Sequence, residues 1–296
     1  MIVTARDAEA TLPRTLAALA DQEGAPSFEL VVADDGSSDG TAAIAERAGA
    51  RVVRGRANAA VAGASGALLA FCGADCRPTA GWLAAGTRAL ADAELVQGRV
   101  LPDPRAETGP FASLVSVTEE TGVYDAGNLF VSRALFDRLG GFEADDGNVL
   151  TEDTWFGWRA RRAGAGTSFC AEALSHRPAG AVEPLEHLEE ATRRRAVPGT
   201  VARLPELRDT LLHRRMFLSS RTMKLDLALV GLALAAARRS KLPLLAAVPY
   251  ALELRRHAKD RGGEDWKRVA AIDAAADLLG SMALLHGSVE ARRLVI

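Results

Sequence analysis

The sequence lacks the features that mark several large classes of protein. It has three cysteines and a formal net charge of only −2 over 296 residues. A near-neutral balance offers no electrostatic case for binding nucleic acid. Three cysteines cannot all pair with one another, and their sparseness is typical of a reduced, intracellular protein. Cys72 and Cys76 also lack the second Cys or His pair that a zinc finger requires.

Targeting signals are missing as well. Residues 1–7 do not show the basic and then apolar pattern of a secretory signal peptide. The two longest apolar runs, residues 225–237 and 242–252, fall short of the ~20 residues that a membrane-spanning helix needs. We therefore expect a cytoplasmic protein without a transmembrane helix.

What the first 180 residues do contain is an alternation of short apolar runs with amphipathic stretches. The pattern predicts strands at residues 2–3, 28–33, 51–53, 68–72, 95–100 and 128–131, with helices between them and Thr11, Ser132 and Thr151 as N-caps. Such alternation indicates an α/β fold with a mostly parallel sheet, which binds ligands beyond the carboxyl ends of its strands. Strand signals disappear afterwards. We expect one domain over residues 1–180 and a helical region over residues 181–296.

A missing glycine excludes two enzyme classes that use such a sheet. Residues 4–12, directly after the first strand, contain no glycine. A nucleotidyltransferase would carry a glycine-rich, basic phosphate loop there, and a dinucleotide-binding dehydrogenase would carry G-x-G-x-x-G. Neither class fits.

Four motifs, in order along the chain, resemble those of family 2 glycosyltransferases. Residues 31–41 resemble the family's nucleotide-binding signature, residues 128–131 and 139–142 its acceptor region, and residues 151–155 its Glu-Asp catalytic motif. The resemblance covers about the first 180 residues. It implies a GT-A fold and a metal-assisted, inverting transfer of a sugar from a nucleotide diphosphate to an acceptor hydroxyl, with a UDP-sugar favoured as donor.

The resemblance also assigns residues to the donor. Asp35 would accept a hydrogen bond from the N3–H of a uracil-like base, and Thr4 and Arg6 would flank that base. Asn58 remains from the family's Arg-Asn-x-Gly run and is placed with the donor as well. Without the family, Asp-Asp-Gly-Ser at residues 34–37 is an ordinary turn and helix cap.

A divalent metal, Mg²⁺ or Mn²⁺, is implied by the family's D-x-D motif. Asp75 matches its last acid and is the expected metal ligand, while Gly73 stands where the first acid should be. His176 lies where the family often supplies a further ligand. The family's two nearby arginines are replaced by Ala57 and Ser65. These losses keep an alternative open, namely a catalytically silent sugar-nucleotide-binding or scaffolding subunit with a degenerate donor site.

The Glu-Asp motif supplies the predicted catalytic residues, Glu152 and Asp153. An inverting transfer needs a carboxylate aimed at the acceptor hydroxyl, and Asp153 is the candidate general base. The alternative is that both acids only stabilise the positive end of a helix.

The last third of the chain differs in charge. Residues 191–261 contain 16 Lys or Arg against 5 Asp or Glu. Together with the two apolar runs, this pattern favours a peripheral seat on the inner face of the cell membrane. The acceptor would then be a lipid-linked molecule or a small molecule. The alternative is a helical pair packed on the catalytic domain, with a solvated basic rim.

Overall fold

The computed structural model describes residues 1–106, 108–112, 116–143, 152–179 and 182–296. The chain divides into two compact units. The first comprises residues 1–106, 114–145 and 151–179, and the second comprises residues 107–113, 146–150 and 180–296. The predicted N-cap Thr151 lies outside the described residues.

Within the described residues, the first unit is built on an eight-stranded sheet with the spatial order β3-β2-β1-β4-β7-β6-β8-β5. In chain order its strands are β1 (Ile2–Ala5), β2 (Val31–Asp34), β3 (Arg51–Arg54), β4 (Leu68–Gly73), β5 (Arg77–Pro78), β6 (Leu95–Pro102), β7 (Asn128–Ser132) and β8 (Thr167–Arg177). β1 is parallel to β2 and β4, β2 to β3, and β6 to β8. β7 is antiparallel to β4 and β6, and β5 is antiparallel to β8. The sheet is therefore mixed.

Helices follow most of these strands and continue into the second unit. Those of the first unit are α1 (Leu12–Ala20), α2 (Thr41–Arg47), α3 (Ala57–Gly63), α4 (Trp82–Ala89), α5 (Arg133–Leu139) and α6 (Glu152–Arg162). Those of the second unit are α7 (Pro184–Thr192), α8 (Val197–Arg203), α9 (Leu207–Thr210), α10 (Ser220–Arg238), α11 (Val248–Gly262) and α12 (Trp266–Ala291). Short 3₁₀ segments cover Arg193–Ala196, Leu242–Ala247 and Gly263–Asp265.

The sheet has a hydrophobic core on each face because successive strand residues point to opposite sides. On β1, Val3 joins one buried cluster with Leu12 and Leu16 of α1. Its neighbour Ile2 joins the other cluster, with Ala60 of α3 and Phe156 of α6. A sheet buried on both faces presents its free polar groups at the strand ends, which is where the candidate site lies.

Four phenylalanines fix α6 against the second face of the sheet. Phe71, Phe136, Phe142 and Phe156 pack with ring centroids 5.2–5.7 Å apart, in tilted and edge-on arrangements. Aromatic pairs at such separations stabilise a core beyond their simple area burial. The beginning of α6, which carries the Glu-Asp motif, is thereby held near the sheet.

Several local expectations can be compared with the structure. Ser132 caps α5 as predicted, since its hydroxyl accepts a hydrogen bond from the Leu135 N–H. Thr11 does not cap α1; its hydroxyl donates instead to the Ala8 carbonyl. β2 begins at Val31 rather than at residue 28, and Phe28 is exposed. β8 was not expected as a strand at all.

The second unit is helical and has a buried ionic network on α12. Asp277 accepts hydrogen bonds from Arg221 Nε and from the Tyr250 hydroxyl at 2.7 and 2.9 Å. Asp273 lies 3.2 Å from His187 Nε2 and 3.8 Å from His257 Nε2. Both aspartates are less than 10% exposed. These contacts link α7, α10, α11 and α12, and the guanidinium of Arg221 lies 2.7 Å from Asp277 and 3.8 Å from Asp273, which offsets their buried charge.

Among the described residues, one continuous helical stretch is long and apolar enough to cross a membrane by length and composition. It spans Leu242–Ala291, and 39% of its most apolar window is buried inside the protein. Because it includes the core of the second unit, this is weak evidence for a membrane span.

Candidate active site

A crevice of about 590 Å³ opens at the carboxyl ends of β1, β2 and β4. These strands are neighbours, with Thr4 of β1 in register with Ala33 of β2 and Gly73 of β4. The loops that follow them therefore meet at one edge, as parallel strands require. Thr4 at the end of β1, Asp35 after β2 and Asp75 after β4 line the crevice.

The two aspartates after β2 have different functions. Asp34 is buried, and its carboxylate accepts the Ser37 N–H at 3.0 Å, which closes the following turn. Asp35 lines the crevice. The turn is further held by Asp7, whose carboxylate accepts the Ser38 N–H at 2.8 Å. Asp34 therefore shapes the loop, and Asp35 is the one available to a ligand.

Arg56 places a positive charge between two acids of the crevice. Its Nε lies 3.7 Å from an Asp35 oxygen and its Nη1 lies 3.4 Å from a Glu152 oxygen. Its side chain is 55% exposed, so these pairs are screened by water. Glu152 and Asp35 orient this guanidinium, and a guanidinium suits the paired oxygens of a diphosphate.

Asp153 is buried at the start of α6, with 7% of its surface exposed. One carboxylate oxygen accepts the Ala126 N–H at 2.7 Å, and the other accepts the Thr154 N–H at 2.7 Å. Thr154 is itself tied to Tyr124, whose N–H donates to the Thr154 hydroxyl and whose carbonyl accepts from it, both at 3.0 Å. These contacts hold the carboxylate of Asp153 in one orientation at the wall of the crevice.

Asp75 stands at the end of β4 with 44% of its side chain exposed. A Cβ at Gly73 would lie 2.7 Å from the Asp75 Oδ1 and 3.1 Å from the Cys76 sulfur. A side chain at position 73 would therefore have to displace Asp75. Because Gly73 has no side chain, the Asp75 carboxylate occupies the space where the first acid of the D-x-D motif would lie.

Arg177, at the end of β8, joins the crevice from the opposite side. Its Nη1 and Nη2 lie 2.9 and 3.2 Å from the two oxygens of Asp125, and its Nε lies 3.5 Å from Asp75. Burial alone would lower the pKa of Arg177, but the neighbouring Cys76, Asp125 and Asp75 outweigh it and raise the pKa above its ordinary value. The guanidinium is a permanent positive charge here.

Most of the residues predicted from the sequence meet in this crevice. Its lining includes Thr4, Arg6, Asp35, Asp75, Glu152 and Asp153. Asn58 is an exception. Its side-chain amide donates to the Phe142 carbonyl at 2.7 Å and its oxygen accepts the Phe142 N–H at 3.0 Å. Both ends of the amide are thus used to fix the loop after α5, and Asn58 lines only a small adjoining recess.

His176 is the second exception. It pairs with Arg77 in the β5–β8 ladder, whereas its neighbour Arg177 lines the crevice beside Asp75. Burial, followed by the positive charge of Arg77, lowers the pKa of His176. Successive strand residues point to opposite faces, so His176 and Arg177 cannot both face Asp75. The structure therefore does not bring the two predicted metal ligands together.

Arg56 and Arg177 were missed by the sequence reasoning, although each left a signal. Arg56 directly precedes Ala57, the position where the family's arginine was sought. Arg177 directly follows His176. In both cases the arginine that lines the crevice is one residue away from the position that the family motif indicated.

Within the residues that the structure describes, no group of three or more His, Cys, Asp or Glu side chains could hold a metal ion by itself. Of the two predicted metal ligands, only the carboxylate of Asp75 lines the crevice, and it is partly exposed; the other predicted acids there, Asp35, Glu152 and Asp153, contact Arg56 or backbone N–H groups. Mg²⁺ is commonly held by one or two carboxylates together with substrate phosphates. The residues present therefore fit a cation that enters with a diphosphate, and they do not form a complete protein site.

A crevice at parallel strand ends, lined by Arg6, Arg56 and Arg177 and by the oriented carboxylate of Asp153, is suited to an anionic ligand. Residues 1–128 match the family model of glycosyl transferase family 2. Residues 1–128 therefore carry a glycosyl transferase family 2 domain, and the fold is GT-A, as the sequence predicts. No curated protein sequence matches the chain.

Solved structures share this fold. The mannosyltransferase PcManGT from Pyrobaculum calidifontis, in complex with GDP-Man and Mn²⁺, is 21% identical, with a TM-score of 0.63 over 95% of this chain and 86% of that one. Glucosyl-3-phosphoglycerate synthase from Mycobacterium tuberculosis, with Mn²⁺ and UDP-glucose, is 18% identical, with a TM-score of 0.48 over 68% and 77%. TarS from S. aureus is 17% identical, with a TM-score of 0.48 over 68% and 42%.

Proposed function

We propose that this glycosyltransferase transfers a sugar from a nucleoside diphosphate, with UDP favoured, to an acceptor hydroxyl with inversion at the anomeric carbon. The observation that supports it is the meeting of Asp35 and Asp153 with Arg56 and Arg177 in one crevice, which Arg6 also lines. Asp35 supplies an acceptor for a base N–H, and the arginines supply positive charge for the diphosphate. Thr4 and Arg6 lie on the same wall and flank the base.

Asp153 acts as general base in this proposal. The acceptor hydroxyl gives its proton to the carboxylate, its oxygen forms a bond to the anomeric carbon, and the bond from that carbon to the phosphate oxygen breaks. The nucleoside diphosphate leaves with the electron pair. The hydrogen bonds from the Ala126 and Thr154 N–H groups keep the carboxylate oriented, so little reorganisation is needed at the moment of reaction.

The leaving diphosphate carries charge that must be neutralised. Arg56 and Arg177 are the side chains of this chain placed to do so, one from the loop after β3 and one from β8. Asp75 would hold a divalent cation together with phosphate oxygens, and such a cation, when bound, offsets the developing negative charge. Glu152 contributes by orienting Arg56.

The role of Asp153 is tested by Asp153→Asn, which keeps the size of the side chain and removes the base. Release of nucleoside diphosphate is measured with water or a supplied sugar, glycerol phosphate or lipid-linked acceptor. Turnover should fall by roughly two to four orders of magnitude, while donor affinity hardly changes. Asp137→Asn, an exposed acid on α5, is the matched control. Near-normal turnover in Asp153→Asn would refute the assignment, and donor binding without measurable turnover in the wild type, unchanged in Asp153→Asn, would favour a silent binding subunit.

The donor is identified by thermal shift against UDP-, GDP- and dTDP-sugars, with and without Mg²⁺ or Mn²⁺. A ligand at 100 times its dissociation constant stabilises the folded state by about 2.7 kcal/mol. GDP-sugars belong in the screen because a carboxylate at the position of Asp35 also accepts from guanine N–H groups, and because PcManGT was solved with GDP-Man. A shift with GDP-sugars and none with UDP-sugars would overturn the UDP preference.

A further inference from the structure

The second unit exposes an apolar helical hairpin that its own packing leaves uncovered. The hairpin segment, residues 227–252, comprises the end of α10, a turn, the 3₁₀ segment Leu242–Ala247 and the start of α11. Ten of its large apolar side chains are at least 39% exposed, among them Val230 at 56%, Leu242 at 72% and Leu245 at 64%. Soluble monomers rarely expose a contiguous apolar surface of this kind unless it binds something.

The charges of the hairpin segment have a single sign. Its charged residues are Arg238, Arg239 and Lys241, which sit together at the turn and are all exposed. The nearest acids are just outside the segment, and one of them, Glu253, is paired with Lys224 at 2.5 Å. A surface that is apolar along its arms and cationic at its turn complements an anionic surface with an apolar interior.

The arms of the hairpin segment are too short to span a bilayer by themselves. The arm of α10 from residue 227 to 237 is about 16 Å long at 1.5 Å per residue, and a bilayer core is ~30 Å thick. Inserting the hairpin turn first would also carry three cations into hydrocarbon. Lying along the interface avoids both problems, because the apolar side chains enter the acyl boundary while the cations remain at the head groups.

We propose that the hairpin segment binds an anionic lipid surface, such as a cytoplasmic leaflet, as a peripheral element. A second copy of the chain fits less well, because it would bring two cationic turns into the same apolar contact. The proposal is independent of the donor chemistry: it rests on the second unit alone and goes beyond the proposed function.

A second exposed apolar strip serves as the internal comparison. On α12, Met282 and Val289 are 67% and 77% exposed. The charged groups between these two residues are paired, since Glu290 lies against Arg195 and 3.6 Å from His286. Exposed cations, Arg292 and Arg293, follow only at the end of the helix, beyond Val289. Met282, ten residues before Arg292, has the apolar exposure of the hairpin segment without adjacent cations, so we expect it to contribute nothing specific to anionic lipid.

The test is co-sedimentation of the full chain with vesicles of phosphatidylcholine, with or without 30% phosphatidylglycerol (on the order of the anionic content that the electrostatic argument needs). Binding should require the anionic lipid and be reversed by high salt. Replacing Arg238, Arg239 and Lys241 by Gln should weaken the partition coefficient by about 100-fold, at roughly fivefold per cation. Leu245→Glu and Leu242→Glu should each weaken it at least about tenfold.

Met282→Glu is the matched control, since its side chain is as exposed as that of Leu245. It should leave binding to anionic vesicles unchanged, and circular dichroism should show every variant folded. Equal losses in Met282→Glu and Leu245→Glu would overturn the assignment to the hairpin segment. Absence of vesicle binding at low salt, or a dimer that Leu245→Glu dissociates, would overturn the lipid proposal. Donor binding in solution is measured separately, so failure here leaves the proposed function standing.

Discussion

Removing the positive charge of Arg177 should cost both folding free energy and donor affinity. Arg177 and Asp125 are mostly buried, with 21% and 16% of their side chains exposed, and they share two hydrogen bonds. Breaking a buried pair from one side costs about 3–5 kcal/mol. Partial exposure screens part of that, so Arg177→Gln should lower the free energy of unfolding by about 2–3 kcal/mol. Asp75 and Asp125 are then left facing each other without a cation.

A double-mutant cycle separates this pair from its surroundings. Urea unfolding is measured for Arg177→Gln, Asp125→Asn and the double variant, and the interaction free energy should be about 1–3 kcal/mol. The exposed pair Arg138 and Glu94, with side chains 49% and 37% exposed, is the control and should couple by about 0.2–1 kcal/mol. Additive single variants at Arg177 and Asp125 would refute the reasoning.

The same variants distinguish a structural from a ligand-binding role. If Arg177 contacts the diphosphate, Arg177→Gln should weaken nucleotide binding at least about tenfold, the value of one charged interaction of about 1.4 kcal/mol. Asp125→Asn keeps the guanidinium and should affect binding far less. Isothermal calorimetry with UDP and GDP measures both. Equal nucleotide affinity in wild type and Arg177→Gln would remove Arg177 from the donor site.

Two further predictions concern metal and pH. Asp75 is the only predicted metal ligand that lines the crevice, so calorimetry should detect Mn²⁺ binding clearly only when nucleoside diphosphate is present. Asp75→Asn should abolish this Mn²⁺ binding, and equal nucleotide affinity in excess chelator would contradict the prediction. Burial, followed by the charge of Arg221, lowers the pKa of His257 in the folded state. The unfolded state then binds more protons just below pH ~6.5, so the free energy of unfolding should fall as the pH drops through that value. His257→Gln should flatten this dependence in urea titrations, and an unchanged slope would contradict the assignment.

The parts of the site that follow strand ends were predictable from the sequence. Thr4, Asp35 and Asp75 come directly after apolar runs, and parallel strands bring their carboxyl ends to one edge of a sheet. No long-range pairing has to be known for that inference. Asp153 required the resemblance to a family, since acids at the start of a helix are common for local reasons.

β8 could not be predicted, and the position of His176 outside the crevice lining follows from it. Its sequence, residues 167–177, contains a single β-branched residue, so pairing with β6 makes it a strand. Gly98 of β6 pairs with Cys170 of β8, but the next residue, Arg99, pairs with Leu174. The register between the two strands therefore shifts by three residues at this point. A shift of an odd number of residues exchanges the two faces of a strand. No local sequence pattern reveals that register shift. The shift nevertheless determines that Arg177, rather than His176, faces Asp75.

Asn58 shows a different limit. A motif records that an amide is needed at a position, but it does not say whether the amide meets a ligand or the protein's own backbone. Here both of its polar groups are bonded to Phe142. Only the three-dimensional structure distinguishes these two uses.

Residues 124–126 connect Asp153, the proposed general base, to Arg177, whose guanidinium is proposed to neutralise the diphosphate. Ala126 holds Asp153 through its N–H, and Asp125 holds Arg177 through its carboxylate. For an engineer this means that backbone changes in residues 124–126 would move Asp153 and Arg177 together, so the two groups cannot be adjusted independently from this segment. Thr4 and Arg6, at the end of β1, and Asp35, directly after β2, lie outside that segment and are the positions at which nucleotide preference can be varied while the reacting groups stay in place.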